Sequence, residues 1–300
     1  MMRACWLVLA LGCTDATDGT DGTDTTDTAT SDTSSINRFY GEAPLVIAHR
    51  GGRGLGPDHT LHTYGVGANA GADVLELDLH TTSDGEIVVI HDDTVDRTTD
   101  GTGAVHDFTL AELQALDAGH TWSPDGGATF PERGQGHVIP TLAEVFEVFP
   151  DAWYVIEIKQ AEPPMVAPFL EALRAWELEE RVVVASFSDA VIQEVRAQAP
   201  EVLTSFGEEE AGTFRFLNRR QLPTYEPPAE VLQLPPTYFG GGLDLINEEL
   251  LENADRFGIP VHAWTINERE EMDRLLELGV NGLITDWPDR ARAAVDALRQ

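Results

Sequence analysis

The chain has 300 residues, 52 of them acidic and 19 basic, for a formal charge of -33 at pH 7. A surface this negative repels nucleic acid and, at long range, any anionic substrate; beyond the N-terminus no run is long and apolar enough to cross a bilayer. The 2 cysteines, Cys5 and Cys13, both lie in the first 13 residues, so internal disulfides are excluded from the body of the chain.

Residues 1–13 combine Arg3 with a short apolar run ending at Gly12 and Cys13, the pattern of an export signal. Leu11-Gly12-Cys13 also resembles the end of a bacterial lipoprotein signal, in which Cys13 is lipidated and becomes the new N-terminus. Ala10 and Leu11 fit that motif badly, and plain secretion is the alternative. The expected location is periplasmic or outer-membrane-anchored, otherwise secreted. Residues 14–43 follow as a linker, with Asp15, Asp18, Asp21, Asp24 and Asp27 at three-residue steps among threonines and glycines. With almost nothing apolar to bury, this stretch is expected to be a disordered, self-repelling spacer. A calcium loop would need alternate-residue ligands and a fixed turn, which the ladder lacks.

From residue 44 to 300, short apolar runs alternate with segments of helical spacing. Strands are predicted over 45–49, 74–79, 87–91, 153–158, 182–187, 202–206, 230–234, 260–266 and 282–285. Helices are predicted over 165–175, 190–197, 247–257, 268–278 and 290–298. Alternation of this kind argues for parallel strands wrapped by helices. Taking 74–79 and 87–91 as one barrel strand plus an excursion leaves eight, a TIM (β/α)8 barrel with a small insertion after the second strand. The insertion, 98–138, is rich in Gly, Asp and Thr with one helical stretch near 110–116; it is expected to cover the site and touch substrate. Residues 213–236 carry 5 prolines and are expected to be a largely irregular second rim.

Successive side chains of a strand point to opposite faces, so Glu76 and Asp78 share one face while Leu75, Leu77 and Leu79 share the other. The same two-residue step puts Glu157 beside Lys159, the only lysine in the chain. A compact ammonium at a buried strand end has a specific task where arginine serves everywhere else. Two further apolar runs end in His49-Arg50-Gly51-Gly52 and in His91-Asp92. Three carboxylates with no cysteine form a hard-oxygen set suited to calcium or magnesium and not zinc, with calcium preferred outside the cytoplasm. Two strand-end histidines beside them form an acid/base pair.

These motifs, HRGG at 49–52, ELD at 76–78, IHDDTVDRTTDGTG at 90–103 and EIK at 157–159, resemble the glycerophosphodiester phosphodiesterases. Ile139-Pro-Thr-Leu-Ala-Glu144, Ala185-Ser-Phe187, Ala263-Trp-Thr-Ile-Asn267 and Gly282-Leu-Ile-Thr-Asp286 extend the likeness, in order, to the C-terminus. The resemblance implies metal-dependent hydrolysis of glycerophosphodiesters, such as glycerophosphocholine, to sn-glycerol 3-phosphate and an alcohol. It places Glu76, Asp78 and Glu157 around one divalent cation, with His49 as base and His91 as acid or the reverse. Arg50 and Lys159 would stabilise the phosphoryl oxygens, and Trp264 would pack on the glycerol or fill the barrel mouth. The hydroxyl next to the phosphate would attack, giving a cyclic phosphate that water opens.

The chain departs from that pattern at two places. Where the family commonly has Pro-Glu-Asn-Thr it has Pro57-Asp58-His59-Thr60, which shortens the acid, removes an amide and makes Asp58 a candidate N-cap. Ala185 stands where glutamine is frequent. Two alternatives remain open: a sphingomyelinase-type phospholipase D acting on intact lipid, which needs an apolar rim that the polar insertion does not offer, and a surface-anchored binding protein on a degenerate barrel. Retention of both histidines, the carboxylates and Lys159 argues against the second. The partner expected is a small glycerophosphodiester, with a membrane involved only through an N-terminal lipid.

Overall fold

The computed structural model describes residues 37–217, 220–238 and 241–298; the signal, Cys13 and most of the linker lie outside the described residues. The strands are β1 (Leu45–Ala48), β2 (Val74–Thr81), β3 (Ile87–Val89), β4 (Tyr154–Ile158), β5 (Val182–Ala185), β6 (Leu203–Thr204), β7 (Leu232–Leu234), β8 (Val261–Ala263) and β9 (Gly282–Thr285). Their order is β6-β5-β4-β2-β1-β9-β8-β7, and every neighbouring pair is parallel. A parallel bridge between Ser205 and Val231, with the Phe206 N–H donating to the Val231 carbonyl at 3.0 Å, joins β6 to the segment entering β7 and closes the ring. β3 lies off it, antiparallel to β2, with Val89 opposite Leu79. This is the TIM barrel expected, with 87–91 as the excursion.

Strands covered on both faces read as continuous apolar runs, as Val182-Val183-Val184 does. Leu75, Leu77 and Leu79 face the helical layer, packing with Tyr154, Phe146 and Phe169. Leu45, Ile47, Val74, Val155, Val183, Val231 and Ile284 fill the interior. Phe39, from a short turn before β1, closes that interior by packing edge-on against Trp153 at 5.5 Å. Because Val74 and Val155 point inward, the two-residue step also turns Glu76, Asp78 and Glu157 inward, one layer nearer the C-terminal ends.

The helices are α1 (Leu61–Asn69), α2 (Leu110–Leu113), α3 (Leu142–Val148), α4 (Val166–Ala175), α5 (Asp189–Gln198), α6 (Glu208–Arg215), α7 (Glu248–Phe257), α8 (Arg269–Leu278) and α9 (Pro288–Ala297). Several expectations need correction. Asp58 does not cap α1: Thr60 does, accepting from the Thr63 N–H, because His59 adopts a left-handed φ of 57° and starts the helix two residues later. The C-terminal part of α6 falls in the stretch expected to be irregular. Strands stop short of the predicted 49, 206 and 266, since the backbone leaves the sheet before the motif residues begin; His49 already opens a tight turn. The insertion is less polar than its composition: Val95, Val105, Leu113, Ala118 and Ile139 form a small core with Val88 and Ile90.

Candidate active site

The HRGG segment reverses direction at the end of β1. Arg50 has φ 52° and Gly51 φ 84°, and a Cβ on Gly67 of α1 would lie 2.1 Å from the Gly51 carbonyl oxygen. Glycine at Gly51 removes the steric cost of the left-handed conformation, and glycine at Gly67 lets the helix approach the turn. The turn aims the Arg50 N–H at Glu76 Oε2, 2.6 Å away. The Arg50 side chain reaches Asp58 Oδ2 at 3.3 Å, and its Nε lies 3.6 Å from Asp78 Oδ2.

Strand register sets Asp78 directly beside Glu157, and Glu76 sits two residues back on the same face. One oxygen from each of the three carboxylates lies within 4.8 Å of the others. Lys159 Nζ lies 3.1 Å from Asp78 Oδ1 and 2.8 Å from Glu157 Oε2. Burial and the Asp78 charge push Glu157 up to about 7 despite Lys159, and the same two causes raise Glu76. Asp78 is held well below the usual carboxylate range: burial opposes ionisation, but a hydrogen bond from His59 and the charge of Lys159 outweigh it. Asp78 Oδ1 is buried and accepts no hydrogen bond. A buried, all-oxygen cluster with an orphaned lone pair and two carboxylates reluctant to ionise fits a hard divalent cation, which would relieve that repulsion.

His59 lies beneath this cluster. Its Nε2 is 2.8 Å from Asp78 Oδ2 and its Nδ1 is 2.7 Å from the Tyr64 hydroxyl. Burial pushes the ring down to about 4, so at neutral pH it is uncharged, with Nε2–H donating to the carboxylate and Nδ1 accepting from Tyr64.

Each strand-end histidine has its own carboxylate. His49 Nδ1 donates to Asp286 Oδ1 at 2.6 Å. Asn267 fixes Asp286 twice: its Nδ2 donates to Oδ2 at 2.8 Å, and its Oδ1 accepts the Asp286 N–H at 2.9 Å. His91 Nδ1 lies 2.5 Å from Asp92 Oδ1, and Arg97 donates to Asp92 and, at 2.9 Å, to Asp58. Burial pushes His91 below the ordinary imidazole value, against the charge of Asp78 and the hydrogen bond to Asp92. Asp58 is a hub for Arg53, Arg97 and Arg50, which with His59 overcome burial and hold its carboxyl at about 2. This explains why it is not at the helix N-terminus.

One cavity of about 670 Å³ is lined by His49, Arg50, Glu76, Asp78, His91, Glu157, Lys159 and Trp264. The fold thus gathers into one cavity the eight residues expected to bind the cation or substrate or to carry the chemistry. Trp264 meets Phe187 edge-on at 5.9 Å and 89°. Sequence reasoning missed Asp286, Asn267, Asp92, Arg97 and His59; the signal for Asp286 was an acid closing the last barrel strand, as Glu157 and Lys159 close β4. It was wrong about the lid: among the described residues none of 98–138 lines the cavity. The insertion turns its apolar side chains to its own core and braces the HRGG turn, with Trp122 donating to the Arg53 carbonyl at 2.9 Å. The far rim comes instead from Phe206, Arg215, Phe216, Leu234, Tyr238 and Leu243.

The sequence profile of the Glycerophosphoryl diester phosphodiesterase family matches residues 49–290. A glycerophosphodiester phosphodiesterase of Caldanaerobacter subterraneus subsp. tengcongensis is 36% identical over 255 residues, 82% of this chain and 95% of the relative. One from Bacillus subtilis is 34% identical over 261 residues, covering 82% of this chain and 84% of that one. The solved structure of an Oleispira antarctica phosphodiesterase in complex with its product sn-glycerol-3-phosphate superimposes with a TM-score of 0.70 at 26% identity, over 86% of this chain and 99% of that one. The chain belongs to the glycerophosphoryl diester phosphodiesterase family.

Proposed function

We propose that this phosphodiesterase hydrolyses glycerophosphodiesters such as glycerophosphocholine and glycerophosphoethanolamine to sn-glycerol 3-phosphate and an alcohol. The observation that carries this is the cavity itself: two histidines, each tied at Nδ1 to a carboxylate, line the space that holds an all-oxygen triad and two cations. His49, oriented by Asp286, takes the proton of the glycerol hydroxyl next to the phosphate; Asp286 stabilises the imidazolium that results. As the new O–P bond forms, the P–O bond to the alcohol breaks, and His91 gives that oxygen its proton. The two exchange roles when water opens the cyclic phosphate.

Arg50 and Lys159 stabilise charge on the phosphoryl oxygens, where losing one such contact costs about 3 kcal/mol of barrier. Glu76, Asp78 and Glu157 hold a divalent cation, calcium in preference to magnesium, which supplies positive charge beside the same oxygens when bound. Trp264 packs on the glycerol. Residues 1–13 are an export signal with Cys13 as the lipidated residue, and the linker from 14 up to the turn that seats Phe39 is the tether, so the enzyme works outside the cytoplasm at a membrane surface; this rests on sequence pattern alone.

Equimolar glycerol 3-phosphate and choline released from glycerophosphocholine, and lost in His49→Ala and His91→Ala proteins of unchanged melting temperature, is the expected result. No release from any glycerophosphodiester by the folded protein refutes the activity; undiminished turnover in His49→Ala removes that residue from the mechanism.

A further inference from the structure

The two strand-end histidines are steadied in different ways. Asp286, which orients His49, is pinned through both its carboxylate and its backbone N–H by the single side chain of Asn267. Asp92, which orients His91, is its neighbour in the chain, with a side chain 25% exposed. A carboxylate in that position can turn toward water and leave the imidazole free to rotate. What holds it is Arg97.

The Arg97 guanidinium uses all three of its nitrogens. Nε donates to Asp92 Oδ2 at 2.5 Å and Nη2 to Asp92 Oδ1 at 3.3 Å, a two-point grip that fixes the plane of the carboxylate. Nη1 donates to Asp58 Oδ2 at 2.9 Å. Asp58 is a firm anchor, buried and accepting from Arg50 Nη1 at 3.3 Å through the same oxygen. The backbone is located as well, since the Arg97 carbonyl accepts from Thr121 Oγ1 of the insertion at 2.7 Å. A lysine ammonium has no fork with which to span two carboxylates in one plane. Arg97 does not line the cavity, so whatever it contributes reaches the reaction through the groups it holds.

We propose that Arg97 is the positioning residue of the leaving-group acid: it locks Asp92, and through Asp92 the His91 ring, against Asp58, the carboxylate that also holds the phosphate-binding Arg50. The acid and the phosphate-binding cation thereby share one reference point. The inference rests on the phosphodiesterase reading above and deepens it. With Nδ1–H given to Asp92, Nε2 carries the proton that moves. As the glycerol oxygen bonds to phosphorus, the P–O bond to the alcohol breaks with its electron pair on the alcohol oxygen, and the Nε2 proton goes there. Choline leaves badly without that proton, whereas p-nitrophenolate departs as the anion. A misplaced acid therefore slows only the first.

The test uses the full chain with metal, in excess over substrate, and reads alcohol release in a single turnover: choline from glycerophosphocholine, and p-nitrophenol from the p-nitrophenyl ester of glycerol 3-phosphate. In Arg97→Met the choline rate is expected to fall about 10- to 100-fold, while the p-nitrophenol rate stays within about threefold and so reports an intact site. Arg97→Lys, which keeps the charge and loses the fork, should lower the ratio of the two rates in the same direction. Arg53→Met takes a charge from 3.7 Å away from the same Asp58 carboxylate without touching Asp92, and should leave that ratio as in the wild type. An equal loss on both substrates, or none on either, overturns the role of Arg97 and leaves the phosphodiesterase reading standing, as does a ratio lowered as far in Arg53→Met. Release of neither alcohol by the wild-type chain overturns that reading itself.

Discussion

Replacing Asp286 by asparagine isolates the orientation of His49 from its presence. Asp286 spans two donors at once, His49 Nδ1–H at 2.6 Å and Asn267 Nδ2 at 2.8 Å, and a carboxylate accepts both. An amide cannot. With its oxygen toward His49 its NH2 confronts the Asn267 NH2; flipped, it confronts the imidazole N–H. Either way one buried hydrogen bond is lost, and the charge that stabilises the imidazolium formed in the reaction is lost with it. A bond to a charged group contributes about 1.5–3 kcal/mol, so a loss of about 2–3 kcal/mol of transition-state stabilisation follows, or roughly 30- to 150-fold in rate. Because the imidazolium exists only after proton transfer, the loss should fall on kcat, with KM for glycerophosphocholine changed little. Steady-state kinetics of Asp286→Asn, with a circular-dichroism melt to confirm the fold, reads this directly. An unchanged kcat, or a loss confined to KM, would refute the assignment of His49 as a proton-accepting base held by Asp286.

Other consequences follow from the same geometry. Glu157, raised to about 7, keeps its proton in the metal-free site below that pH. Cation binding must then displace it, so the part of the affinity that depends on Glu157 is full above about pH 7 and falls by up to about tenfold per unit on acidification; calorimetry in buffers of different ionisation heat counts the protons released. His59→Leu removes the hydrogen bonds to Asp78 Oδ2 and to the Tyr64 hydroxyl, and is expected to weaken cation affinity at least about tenfold, whereas His59→Asn, which keeps a donor, should hold it within a few-fold. Gly67→Ala would add up to about 1 kcal/mol in an unhindered helix, yet here its Cβ meets the Gly51 carbonyl at 2.1 Å. We expect a net loss of about 2 kcal/mol, a melting temperature about 4–8 °C lower, and a fall in kcat as the HRGG turn shifts.

What the sequence disclosed and what it hid divide along physical lines. Strand alternation put Glu76 with Asp78 and Glu157 with Lys159, and the barrel's own registry, Asp78 beside Glu157, then made them one cluster. Helices with clean apolar spacing, such as α7 and α8, were legible. α1 was not apparent from spacing because Gly65 and Gly67 blur its apolar stripe, although Gly67 is there to let the helix approach the Gly51 turn. α3 announced itself through the Thr141–Glu144 capping box, a signal not used. The pairings Asp286–His49 and Asp58–Arg97 join residues 237 and 39 positions apart, and no local pattern encodes such a distance. The apolar side of the cavity was invisible for the same reason. Phe187, Phe216, Leu243 and Trp264 come from four separate loops, each with an unremarkable apolar residue, and only closure of the barrel sets them side by side.

The central claim is that the three-carboxylate cluster holds a cation required for phosphodiester hydrolysis. It is tested most directly by glycerol 3-phosphate release from glycerophosphocholine after treatment with chelator, and again with calcium or magnesium restored, in the wild-type chain and in Asp78→Asn. The account predicts loss of activity on chelation, recovery greater with calcium than with magnesium, and no recovery in the variant. A rate indifferent to chelator, matched by an active Asp78→Asn, would contradict it.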